Sequence, residues 1–356
     1  MDNFAADDLK IFCENVLTKI GVNQSDAEIV SESLIQANLE GVHSHGISRL
    51  AIYLKRLIDG RINRKPSIKL TAKSHSVLVV DGDNGLGQVV SHHAMKKGIE
   101  MAKESGVVAI AINNSNHFGT ASYFCQLACE ENLACIGFTN SPSAMAPWGG
   151  KKPFFGTNPI AFGFPTGNDA PVIIDLSTSI AARGKIILAA KQGSEIPEGW
   201  ALDADGNPTN NPNEALIGSV LPLGGAKGSA LALGVEILTG ILSGAAFGPH
   251  VHNIYDESTS ERANIGHFFI LFDIEKFMSF DIFTTYLNNL LEEMKELPKV
   301  PGVNEIRYPG ERRKNESARS LKNGIYLSSS VQQELKQIGT FHNVDFPKAI
   351  STEKVL

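Results

Sequence analysis

The stretch GVHSHGISRL, Gly41 to Leu50, sets two imidazoles close together and a guanidinium one helical turn after the second. A metal site, an anion site and an ordinary solvated helix start all use such residues. A helix beginning near Ser44, running to Asp59 and stopped by Gly60 helps to separate these readings. On such a helix His45, Arg49 and Tyr53 share one stripe, stepping by roughly 40° each. Ile47, Leu50, Leu54, Leu57 and Ile58 form the adjacent apolar stripe. Arg56 extends the polar stripe, as it would on a plain solvated face. His43 lies outside the helix start, so the two histidines do not form a chelating pair on one face.

Other segments carry chemistry only in combination. His117 sits in NNSNHFGTASYF, just after the strand-like VVAIAI, on a strand-to-helix turn where catalytic groups often sit. The Pro- and Gly-rich segment from Phe138 to Pro165 reads as a long shaped loop. VIIDLSTSIAARGKI runs into Asp175, Ser177, Thr178 and Ser179, which suit a ribose or phosphate and equally a helix cap. LGGAKGSALA is a glycine-rich helix start carrying Lys227; its lysine precedes Gly228, so it is not a phosphate loop. It suits an anion, or simply tight packing. VVDGDNGLGQVV invites a dinucleotide reading but fails it. Counted from Gly85, the third small residue is replaced by Val90, and the next strand ends in Asn113 and Asn114 rather than an acid. A glycine turn between strand and helix is the better reading.

The elements that must position these residues change character along the chain. Helices are expected over ADDLKIFCENVLTKIG, closed by Gly21, and over QSDAEIVSESLIQANLEG, with a cap signal at Ser25 and Asp26. From Ser76, strands and helices mix: SVLVVDG, VVAIAINNS, LACIGFTNS, NPIAFGFPT, PVIIDLSTS and GHFFILFDIEKF read as strands. AKGSALALGVEILTGILSG reads as a long buried helix, and helices return in FTTYLNNLLEEMKEL and SSVQQELKQIG. GERRKNE reads as a solvated loop.

With 356 residues, 42% hydrophobic and 20% charged, the chain has the composition of a globular protein of about two domains. A net charge of -6 argues against nucleic acid as a partner. The acidic, amphipathic start is no signal peptide, and Glu236 and the glycines of Ala230 to Gly248 argue against a membrane span. Cys13, Cys125, Cys129 and Cys135 are too sparse for a disulfide framework. They read as buried thiols of a cytoplasmic protein, ahead of a zinc site of Cys125, Cys129 and Cys135 with a histidine.

Taken in order, SHGISR, NSNHFG, TNSPSAMAPWGG, GTNPIAFGFP, GGAKGSALA and YPGER resemble the malate/L-lactate (L-2-hydroxycarboxylate) dehydrogenase family of the non-Rossmann type. That family also contains ureidoglycolate, sulfolactate and diketogulonate dehydrogenases or reductases. The resemblance runs from about residue 5 to 335 and implies an NAD-dependent oxidoreductase, with NADP possible, acting on a small 2-hydroxy acid. It implies an α+β fold: a largely antiparallel, mixed sheet with flanking helices forms a non-Rossmann nicotinamide-binding domain over 73–282. A helical domain combines 1–72 with about 283–356. A homodimer is expected, with active sites near the subunit boundary.

Residue by residue, the resemblance makes His117 the acid/base, with His45 as the alternative. Arg49, Ser44 and Tyr53 become substrate contacts. Asn140, Ser141, Asp175, Leu176, Ser177, Gly225, Lys227, Pro309, Gly310 and Glu311 become cofactor contacts. The chemistry agrees, since an imidazole takes a hydroxyl proton near neutral pH and a guanidinium grips a carboxylate through two parallel bonds. No residue chooses malate over lactate. No resident metal is expected; the rival reading, a metal- or anion-binding protein using His43, His45, His250 and His252, requires loop or strand ligation.

Overall fold

Apolar residues recurring at helical spacing near the N-terminus, and β-branched runs after residue 76, fold as their patterns direct. The computed structural model describes residues 2–167, 170–256 and 261–350; positions 1, 168–169, 257–260 and 351–356 of the expected domains lie outside the described residues. The first half of the chain runs through β1 (Asn3–Phe4), α1 (Ala6–Lys19), α2 (Gln24–Leu39), α3 (Leu50–Ile58), β2 (Lys69–Ser74), β3 (Val77–Asp81), α4 (Gly87–Ser105), β4 (Val107–Ser115), α5 (Ala121–Glu130), β5 (Leu133–Thr139), β6 (Ile160–Phe164) and β7 (Val172–Leu176). The second half adds α6 (Arg183–Gln192), β8 (Ala201–Leu202), β9 (Pro208–Thr209), α7 (Pro212–Ile217), β10 (Ser219–Val220), α8 (Ala226–Glu236), β11 (Ile265–Asp273), α9 (Phe280–Glu296), α10 (Glu311–Asn323), β12 (Ile325–Tyr326) and α11 (Ser329–His342).

The architecture is α+β around a mixed sheet of order β2-β3-β4-β11-β5-β6-β7, in which only β3 and β4 run parallel. A dinucleotide-binding sheet of the Rossmann kind is parallel throughout its core, so the failed glycine fingerprint and the topology agree. The turn after β3 does other work. Asn116 donates to the carbonyls of Asn84 and Gly85, clasping this turn against the end of β4. β2 escaped the sequence reading because every residue of KLTAKS is exposed; its two lysines suit an edge strand. A small sheet, β9-β8-β10, was also not foreseen.

One core gathers Phe4, Leu9, Phe12, Leu34, Leu54 and Leu57 with Ile325, Leu327 and Leu335 from the far end of the chain. β1 pairs with β12 across the same junction. A second core lies between the sheet and α4 and α5. α9 packs through Leu291 and Leu287 with Val172, Ile174 and Tyr308, against β7 rather than on the N-terminal helices.

Several expectations are corrected. α2 is preceded by Asn23, not capped by Ser25 or Asp26, and Asp26 is buried within it. The expected long buried helix is α8 followed by a π-helical segment, Ile237–Leu242, whose Leu231, Leu233, Ile237, Ile241 and Leu242 are exposed in the single chain. No helix of the described residues is long and apolar enough to cross a membrane. The four cysteines are free and buried.

GERRKNE is not a loop but the start of α10, and its Arg313 is a tie between the two cores. Arg313 reaches Glu40 after α2 at 2.8 Å, Ser122 of α5 at 2.9 Å and Asp175 of β7 at 3.6 Å. Glu40 is buried and also accepts from Gln126 and Gln36. Removing the guanidinium would strand a buried carboxylate. We expect Arg313→Met to lower stability by about 3 kcal/mol in urea unfolding; a loss below about 1 kcal/mol, the range of exposed ion pairs, would show that the tie is solvated.

Candidate active site

Residues 43–49 are not the first turns of a helix. They form two 3-10 turns, His43–His45 and Ile47–Arg49, and the α-helix begins at Leu50. The cause is Asn38, a buried residue of α2. Its Oδ1 accepts from Ile47 N at 2.7 Å, and its Nδ2 meets His43 Nδ1 at 3.1 Å. A Cβ at Gly46 would stand 1.9 Å from Asn38 Oδ1, so only glycine fits there. His43 is thereby turned to Asn38.

The expected stripe nevertheless converges on His117. Tyr53 is 1% exposed, and its hydroxyl lies 2.6 Å from His117 Nδ1. The His45 ring stacks on the His117 ring with centroids 5.6 Å apart and planes at 25°. Ser44 Oγ lies 3.0 Å from His45 Nδ1. Arg49 donates through Nε to the carbonyl of Ser44 at 2.6 Å and lies over the Tyr255 ring, 5.6 Å from its centroid. Its terminal nitrogens bond no other described residue, which suits a carboxylate. Arg56 departs from the expected stripe: it is buried, with Nη1 directed at the carbonyl of Ile254.

Both imidazoles are held below their ordinary range. Burial is the main cause for His45, with Arg49 and Arg313 adding repulsion, and it falls to about 4. Burial likewise holds His117 well below its usual range, helped by His45, Arg49 and His267. Burial pushes the Tyr53 phenol up to about 12, so it stays protonated. Its hydroxyl can donate to Nδ1 of a neutral His117, or accept from Nδ1 when that nitrogen carries the proton.

The remaining expected residues are strung along β7 and its extension. Asp175 Oδ2 accepts from Ser122 N at 3.1 Å, beside Arg313. Leu176 is exposed, and Ser177 bonds within the turn to Ser179. Thr178 N donates to Thr157 O, and Thr178 O accepts from Leu223 N, which leads to Gly225 and Lys227 at the start of α8. Ser141 Oγ accepts from Thr157 N. Asn140 is buried and its amide is consumed by Gly266 N and Ala246 O. At the other end Pro309 O accepts from Ile173 N, Gly310 lies against Pro171, and Glu311 accepts from Tyr308 N.

This strip fits a nicotinamide dinucleotide. Lys227 is exposed in the first turn of α8, beside N–H groups that a helix start leaves free for an anion. A Cβ at Gly225 would press on the Trp148 ring at 3.0 Å and narrow that approach. Among the described residues no three His, Cys, Asp or Glu side chains could together hold a metal ion. Sequence patterning marks no role for Arg313, Glu40 or His267. A lone histidine in the otherwise apolar GHFFILF was the available signal for the last; the others depend on contacts distant in sequence.

The mixed sheet, the stacked His45 and His117, and Arg49, whose terminal nitrogens bond no other described residue, fit an NAD(P)-dependent 2-hydroxyacid dehydrogenase of non-Rossmann type. The sequence profile of the malate/L-lactate dehydrogenase family matches residues 4–336, and the chain belongs to that family. It is 40% identical to a malate dehydrogenase of Pyrococcus horikoshii over 341 residues, 93% of each chain. It is 42% identical to an L-sulfolactate dehydrogenase of Methanocaldococcus jannaschii over 325 residues, 91% of this chain and 92% of the other. The solved sulfolactate dehydrogenase from Methanocaldococcus jannaschii superposes with a TM-score of 0.90 at 39% identity, covering 97% of this chain and 98% of that one. Relatives named for NAD(+) and for NADP(+) both occur.

The depressed imidazoles give a direct check. Histidine NMR should find both rings neutral at pH 7, taking up protons only below the ordinary value of about 6.5. A His117 titration midpoint at 7 or above would contradict the burial account.

Proposed function

We propose that the chain interconverts a small 2-hydroxy acid and its 2-oxo acid, with (S)-malate/oxaloacetate and L-lactate/pyruvate as the first candidates. The carrying observation is the Tyr53–His117 hydrogen bond beside the free end of Arg49. NAD is the proposed coenzyme, with NADP as the alternative. Sulfolactate is the second reading, on the strength of the relative named for it. A cytoplasmic location agrees with the four buried, unpaired thiols.

When bound, the nicotinamide exchanges a hydride with C2 of the substrate. The other tasks fall to this chain's side chains. Arg49 holds the substrate carboxylate by two parallel bonds, with Ser44 at the rim. His117 takes the hydroxyl proton in oxidation and returns it in reduction. In that role Tyr53 accepts from His117 Nδ1–H, which leaves the Nε2 lone pair for the substrate proton and persists when both nitrogens are protonated. His45, stacked on His117, opposes its protonation, so an imidazolium formed there is a strong acid toward a developing alkoxide. His45 remains the alternative proton carrier. Asn140, Ser141, Asp175, Leu176, Ser177, Gly225, Lys227, Pro309, Gly310 and Glu311 are the proposed cofactor contacts.

The proposed assembly is a homodimer. The apolar residues exposed along α8 and the π segment, Ile241 at 58% and Leu242 at 62% among them, are a face that water does not favour. The two-domain division is part of the same reading: both chain ends share one core, while α9 packs with the sheet.

The testing experiment follows NADH and NADPH oxidation with oxaloacetate, pyruvate, sulfopyruvate, the oxidised partner of ureidoglycolate and a cyclic imine. Turnover of a 2-oxo acid is expected; turnover of the imine alone would overturn the reading. His117→Ala should lower kcat by about two orders of magnitude, and activity within a few-fold of the parent would remove His117 from proton transfer. Arg49→Lys should raise KM for the oxo acid with less effect on kcat, since lysine loses the fork; an unchanged KM would take Arg49 out of the pocket. Light scattering should give twice the chain mass of 38.3 kDa, and Ile241→Asp should shift it toward the monomer. A monomeric parent would contradict the dimer.

A further inference from the structure

His267 lies in β11, away from the stripe that carries the proposed chemistry, yet it touches the turns on both sides. It is fully buried. A register shift between Ile265 and His267 re-aims the strand at this point. Gly266 permits it, since a Cβ there would stand 1.7 Å from Thr239 O. His267 Nδ1 lies 2.7 Å from Thr139 Oγ1, and Nε2 lies 3.0 Å from Ser115 Oγ. Its ring is stacked on Phe118 at 4.3 Å with planes 5° apart.

The Thr139 hydroxyl is closest to Nδ1 and also lies 3.0 and 3.2 Å from the carbonyls of Asn140 and Gly266. At the other side of the ring stand the Ser115 hydroxyl and the backbone carbonyl of Asn116. Burial holds this imidazole down to about 3, so it stays neutral at working pH, with one ring nitrogen as donor and the other as acceptor. Ser115 and Phe118 bracket His117, while Thr139 precedes Asn140 and Ser141. One ring thus spans the turn that carries His117 and the turn that opens the cofactor strip.

We propose that His267 is a positioning residue for proton transfer, fixing the 115–118 turn, and with it His117, relative to the 139–141 turn. It makes no contact with the reacting atoms. Its role is geometric, and a small displacement of an acid/base group is costly to rate. The inference rests on His117 being the proton carrier.

The test is kinetic. His267→Phe keeps the ring stacked on Phe118 but loses both hydrogen bonds. His267→Gln can still reach Ser115 with an amide that donates or accepts, whereas His267→Asn reaches only Thr139. With NADH and oxaloacetate (or pyruvate or sulfopyruvate, if turned over faster), we expect His267→Phe to lower kcat by about tenfold to a hundredfold. The NADH Kd, read by fluorescence, should stay within about threefold, the shift of a modest contact change. His267→Gln should recover most of the lost kcat and His267→Asn should not. Ser115→Ala should lower kcat comparably and add little to His267→Phe, as expected of two members of one contact. It also carries the test if His267→Phe does not fold.

A kcat within about twofold of the parent for His267→Phe, equal losses in the Gln and Phe variants, or additive losses with Ser115→Ala would each overturn the proposal. If His117→Ala abolishes turnover while His267→Phe keeps it, only this inference fails. If His117→Ala remains active, the reading beneath it fails first.

Discussion

The contact between the Tyr53 hydroxyl and His117 Nδ1 joins the helical start of the chain to the end of a sheet strand, and the proposed chemistry depends on it. A phenol as buried as Tyr53 needs a polar partner, because an unpaired hydroxyl in the interior is costly. The partner it finds is the imidazole on the strand-to-helix turn. The site is therefore complete only when the N-terminal helices are packed on the sheet. With Nδ1–H donating to the Tyr53 oxygen, the same contact fixes the His117 ring and leaves Nε2 free to gain and lose a proton.

Around that contact the molecule is held by polar ties at separate depths. Arg313 links Glu40 with Ser122 and Asp175, and so fastens α10 to the end of α2, to α5 and to β7. Glu236, the buried last residue of α8, accepts from Asn158 and Gly248 and so ties the end of that helix to the approach to β6. His267 ties the two turns between them. Each tie is a buried polar group with satisfied partners, so each constrains geometry more than it adds stability. The exposed apolar face on α8 and the π segment is where the proposed dimer would close.

Much of this was legible in the sequence. Periodicity located most of the larger helices and the inner strands, and six ordered motifs carried the family. His45, Arg49, Tyr53 and His117 do converge, although the helix assumed for the first three begins only at Leu50. Local pattern did not show how Asn38 and Gly46 reshape that start, since the deciding contact is tertiary. Arg313 was hidden for a related reason: in a charged run, nothing local separates a solvated arginine from one that meets a buried Glu40. β2 was hidden because an edge strand facing water on both sides has no apolar alternation to detect.

The most direct test of the account is a crystal structure of the chain with NADH and oxamate, a non-reducible mimic of a 2-oxo acid. The account predicts the oxamate carboxylate in the fork of Arg49 and its amide oxygen, the stand-in for the C2 oxygen, within hydrogen-bond distance of His117. Tyr53 should remain on His117 Nδ1. Oxamate bound through His45 with His117 turned away, or a carboxylate held by a residue other than Arg49, would contradict it.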